Sequence, residues 1–167
     1  DTLNDNTTGT INATTVTIIT GSASDVKDVY SAAVNSGNGI SNLGNEKVTL
    51  SGSTTVSDAN IVAGNTSGVV TATIAEGALS TLAGLNETGH AYTITVTDTD
   101  VTAANLNTLN SKTTVEITAT AVTKITGSNA DLVTLYTADA NSEINIDGNA
   151  LLVVSDSITH TQANVLN

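Results

Sequence analysis

The chain has 167 residues, four Lys and no Arg against sixteen Asp and Glu, and a formal net charge of −12; it also lacks Cys, Met, Pro, Trp and Phe. Disulfides, thiolate metal sites and cysteine nucleophiles are thereby excluded. So is nucleic-acid binding, which needs a surplus of cations to neutralise phosphates, and no apolar run approaches the ~20 residues required for membrane insertion. Thr fills 32 positions and Asn 19. Ile, Leu and Val still supply about a quarter of the chain, above the ~20% below which a chain stays disordered. A core built from such small side chains is thin, and abundant Val, Ile and Thr favour strands.

Taken in chain order, the predicted elements alternate between strands and short helices. Thr8–Thr14 opens with small residues, then Ile11, then Ala-Thr, and the same phrase returns at Ser67–Thr73 and Thr114–Thr120. A second strand phrase, apolar-x-apolar followed by small and turn residues, occupies Val48–Ser53, Ile94–Thr99 and Leu152–Ser157. Period-two alternation is clearest in Tyr92–Thr97 and marks half-buried strands. Three ten-residue phrases with helical spacing follow strands: Val56–Asn65, Val101–Asn110 and Ile158–Asn167. Ser57, Thr102 and Thr159 are placed to cap them, and the closing Asn suits a left-handed stop. Ser31–Gly39 and Thr137–Glu143, rich in Gly, Asn and Ala, read as side loops.

A long repeat underlies these phrases. Shifted by 106 residues, positions 1–30 match 107–136 with 16 identities, including Ile19-Thr20-Gly21-Ser22 against Ile125-Thr126-Gly127-Ser128, Asp25 against Asp131 and Tyr30 against Tyr136. The match continues loosely to Gly44-Asn45 against Gly148-Asn149. The expected architecture is a single solenoid of parallel strands with short helices on one side, α/β and leucine-rich-repeat-like. Six rungs are expected, at about 1–39, 40–65, 66–86, 87–110, 111–147 and 148–167. An all-β parallel β-helix is the alternative. With no leader or starting Met in view, the chain reads as a processed piece whose ends, Asp1–Asn4 and Asn164–Asn167, could continue a stack.

Chemistry is sparsely encoded. His90 and His160, the only histidines, pair with no nucleophile by motif and read as solvated. No catalytic residue and no cofactor-binding residue is singled out, and the chain reads as a non-enzyme. Calcium is possible at Asp98–Asp100, Asn145–Asn149 and Asp1–Asn6, where oxygen ligands sit beside turns. The competing explanation is that Asp and Asn end strands by bonding nearby backbone. Thr-x-Thr pairs at Thr15/Thr17, Thr71/Thr73, Thr93/Thr95/Thr97 and Thr118/Thr120 could form the hydroxyl and methyl rows of an ice-binding face, or simply the solvent side of a sheet. Asn6, Asn12, Asn65 and Asn86 open glycosylation sequons, no more than this much Asn and Thr produces by chance.

The phrases Gly39–Leu50 and Thr118–Thr126 resemble tandem repeats of giant secreted surface proteins, adhesin- and RTX-associated-like, of marine cyanobacteria and other bacteria. The resemblance is to a repeat style covering nearly the whole chain. It implies export, an extracellular or cell-surface place, and a spacer, adhesin, layer-forming or filament role. Partners would be neighbouring repeats or other copies, end to end, with no nucleic acid and no membrane insertion. It transfers no site residue.

Overall fold

The computed structural model describes residues 6–34 and 39–157. In order these form β1 (Ile11–Asn12), β2 (Ile18–Ser22), α1 (Ala23–Val34), β3 (Ile40–Ser41), β4 (Lys47–Thr54), α2 (Val56–Ala63), β5 (Val70–Ile74) and α3 (Leu79–Leu82). There follow β6 (Ala91–Thr93), β7 (Asp100–Thr102), α4 (Ala103–Asn110), β8 (Ile117–Ala119), β9 (Lys124–Gly127), α5 (Asn129–Ala140), β10 (Ile144–Ile146) and β11 (Leu151–Val154). The third helical phrase, Ile158–Asn167, lies outside the described residues, as does its cap Thr159.

The single solenoid is not what forms. The strands fall into four separate sheets, ordered β2-β4-β5-β6, β11-β9-β7, β1-β3 and β10-β8. The chain condenses as two compact units, Asp1–Ala75 with Leu85–Tyr92, and Glu76–Gly84 with Thr93–Asn167. This is an α/β arrangement of several short sheets, and the five helices among the described residues also exclude the all-β alternative. Unequal spacing is the physical reason. One continuous ladder needs equal rungs, but paired strands start 29 residues apart at Ile18 and Lys47, 22 at Val48 and Val70, and 24 at Asp100 and Lys124. Strands of two or three residues cannot absorb such differences.

Within each unit the alternation read from sequence sets the faces. In the first, Val48 stands beside Val70 and both are fully buried, while Thr20, Thr49 and Thr71 line up in the next row and are exposed. The β4–β5 register shifts between Thr49 and Ser53, and Gly52 takes φ +74 there, a conformation that side chains resist. In the second unit the buried columns are Val101–Ile125–Leu152 and Ile117–Ile144, with Leu152 only partly covered. From Tyr92 to Thr97 burial alternates residue by residue, although regular pairing stops at Thr93 and resumes as a bridge between Thr95 and Thr118.

The helices cover the apolar side of the strands. Leu106 and Leu109 of α4 are buried, as are Leu132, Leu135 and Ala138 of α5, at helical spacing. Thr102 caps α4 as expected, accepting from the Asn105 amide. The cap of α2 is Thr55 rather than Ser57, because Thr55 still has extended backbone and its hydroxyl reaches the Asp58 amide. Left-handed stops at Asn65 and Asn110 are absent. Gly64 and Ser111 close these helices in right-handed conformation, with backbone bonds back to Asn60 and Asn107. The two expected side loops are corrected in their first halves: Ser31–Val34 and Thr137–Ala140 are final turns of twelve-residue helices, while residues 35–38 of the first loop lie outside the described residues. Their Ala, Val and Leu content sustains the helix. The turn proper begins beyond α5 at Ser142, φ +58.

Candidate functional site

The acids at strand ends are the main candidates, and those among the described residues are engaged by nearby protein groups. Asp98 accepts from the Leu79 amide at 2.7 Å, where α3 begins. Asp156 does the same for the first amide of α5, Asn129, at 2.8 Å. Asp100 pairs with Lys124 at 2.8 Å on an exposed surface. Asp147 accepts from the amide and side chain of Asn149, the local turn that Asp-Gly-Asn encodes. Asp139 receives the Ile146 amide at 2.9 Å. Among the described residues no three His, Asp or Glu side chains converge as a metal-holding group. Asp1–Asp5 lie outside them.

The carboxylates at 98 and 156 thus do something the sequence left unread: each spans from the end of one strand to the start of a helix earlier in the chain. An anion there complements the positive end of the helix and satisfies one of its orphan amides.

The most enclosed polar cluster was not anticipated. Glu46 is fully buried, and its carboxylate accepts from the Tyr30 hydroxyl at 3.0 Å and the Gly44 amide at 2.7 Å. Its backbone carbonyl receives the Thr66 hydroxyl at 2.6 Å. Burial raises the Tyr30 hydroxyl to about 12, and the hydrogen bond to Glu46 adds to the shift. This cluster ties α1 to the turn before β4 and to the segment after α2, and no group in it is aimed at solvent. It functions as a clasp. In sequence Glu46 stands between Asn45 and Lys47 in a polar approach to a strand, where nothing marks a carboxylate as buried.

His90 is corrected from solvated to buried. Its Nδ1 accepts from the Val70 amide at 3.1 Å, at the start of β5, and its ring lies 5.3 Å from that of Tyr92. Burial holds the imidazole below its ordinary value, only partly opposed by Glu87. His160 lies outside the described residues.

The threonine rows are placed in part as read. Thr15, Thr17, Thr71, Thr73, Thr93, Thr95, Thr97, Thr118 and Thr120 are all exposed. Register aligns Thr20, Thr49 and Thr71, while the next row sets Ser22 beside Ser51 and the preceding one Ile18 beside Lys47. No helix among the described residues is long and apolar enough to cross a membrane. No protein-family model, curated protein or solved structure matches the chain.

Proposed function

We propose that the chain is a non-enzymatic structural repeat module of an extracellular or cell-surface bacterial protein, forming the body of a spacer, adhesin, layer or filament and meeting neighbouring repeats of its own kind. One observation carries the reading. The connectivity β1-β2-α1-β3-β4 recurs as β8-β9-α5-β10-β11, with Ile11 beside Ile40 matched by Ile117 beside Ile144, and Ile18 beside Lys47 matched by Lys124 beside Leu151. A unit that reproduces its own register at a fixed interval is suited to serial use. Asp98 receives the first amide of a helix, Asp147 closes a turn and Asp100 pairs with Lys124, which supports a role in shape. The surface location rests on the resemblance of Gly39–Leu50 and Thr118–Thr126, and the acidic balance favours solubility in salty media.

The location is tested on the producing cells. An antibody against the chain should label intact cells and lose its target after surface proteolysis; a target that appears only after lysis would overturn the extracellular reading.

A further inference from the structure

Duplication lets each copy report what the other lacks. Among the described residues of the second copy, β9 is paired on both sides, by β7 and β11, whereas its counterpart β2 is paired by β4 alone. Among the described residues of the first copy, β4 is paired on both sides, by β2 and β5, whereas its counterpart β11 is paired by β9 alone. Burial follows the pairing. Val48 and Ile125, on the doubly paired strands, are fully buried, while their counterparts Leu152 and Ile19 remain partly exposed. The two most exposed large apolar residues among the described ones lie on these edges: Leu151 at 61% and Ile18 at 59%.

Gly21 and Gly127 give an independent mark. A Cβ on Gly127 would lie 2.9 Å from the Cβ of Ala103, the residue that follows β7, so glycine there is required by the neighbouring strand. A Cβ on Gly21 would meet nothing nearer than 3.6 Å, and only Asp25 and Val26 of the helix that follows, α1. Gly21 leaves room for a neighbouring strand on the side of β2 away from β4.

We propose that a second copy of this chain lays its β11 in parallel along β2, so that one contact covers both open edges. Register follows from burial, because inward residues face one another on both completed edges, Val48 with Val70 and Val101 with Ile125. Leu152 of one copy then stands opposite Ile19 of the next, Leu151 beside Ile18, and Val154 against Gly21. The contact is heterologous, because pairing two copies leaves one β2 and one β11 still open. The net charge of −12 opposes association, and salt strengthens it by screening. The inference deepens the repeat-module reading by naming the partner and the surface.

Sedimentation velocity on the full chain tests it. The average mass should rise with concentration, and more steeply at high salt. Gly21→Ala should keep the melting temperature yet need about tenfold more protein to reach the same mass. Val154→Pro should block the other edge, since the Leu151 and Ser155 amides bond β9 and the Val154 amide points away from it. Leu151→Asp replaces that variant if it does not fold. Neither blocked variant should assemble alone, and their mixture should stop at one-to-one pairs. A wild-type chain that stays monomeric, a Gly21→Ala chain that assembles like wild type, or a mixture that forms no pairs would each overturn the proposal. Failure of surface labelling would leave these results standing, and a monomeric chain would leave the surface location standing.

Discussion

The two copies of the repeat share a frame and differ in how it is fastened. Both start their long helix with the same box: Ser22 accepts from the Asp25 amide and donates to its carboxylate, and Ser128 does so with Asp131. Both keep the buried tyrosine position, Tyr30 and Tyr136, though Tyr136 is only half-buried. The fastening differs. Tyr30 donates to Glu46, whereas the counterpart of Glu46 in the second copy is Ala150. Lys27 of α1 pairs with Asp58 of α2, whereas Val133 stands at the place of Lys27. In return, Asp156 caps α5, where the first copy has Gly52. Caps and apolar columns therefore define the unit, and polar clasps are specific to each copy.

Removing the buried clasp should produce the largest difference between copies. Glu46→Ala leaves the Tyr30 hydroxyl and the Gly44 amide without their acceptor, at ~1–3 kcal/mol for each buried group, or about 2–6 kcal/mol together. Ala150→Ser at the matching position should stay within about 0.5 kcal/mol, as an uninvolved site does. Denaturant midpoints decide the matter, and equal losses would show that the clasp adds nothing specific to the first copy. Next in size is the helix seam. Leu109 is 3% exposed, so Leu109→Ala should cost ~2–5 kcal/mol through lost burial and a residual cavity. Thr95→Ser, on the exposed face of the same unit, should be nearly silent. Asp156→Ala should cost about 1 kcal/mol, the usual value of a lost cap, and an amide-exchange measurement should locate the loss in the first turn of α5.

How much of this was legible depends on whether the signal was local. Strand faces were readable because alternation at Tyr92–Thr97 survives even where pairing stops. The Thr102 cap was readable because a hydroxyl three residues before an exposed amide needs no distant partner. The long helices were missed because Ala- and Gly-rich stretches at Ser31 and Thr137 look like loops until Val26, Tyr30, Leu132 and Leu135 are seen to pack. The sheet architecture was misread because near-equal phrases do not ensure equal rungs. Glu46, His90 and Asp98 were opaque for another reason: their partners lie 16 to 20 residues away, and no motif records that distance.

His90 sits in the stretch that occurs only once, so it tests whether this segment is fastened like the two copies. Its Nδ1 can accept the Val70 amide only while unprotonated. Burial lowers its pKa in the folded chain from the ordinary 6.5, so the unfolded chain takes up the proton first as pH falls. Stability from this group is therefore fully present above about pH 6.5 and is lost as pH drops from there through the lower folded value. His90→Gln retains an acceptor but does not titrate. Melting temperatures of the two chains should run parallel at neutral pH and above, then diverge below 6.5, with only the wild type losing the imidazole contribution. Parallel curves through that window would mean that the Val70 amide is held by something other than the imidazole, and that this stretch depends on its apolar columns alone.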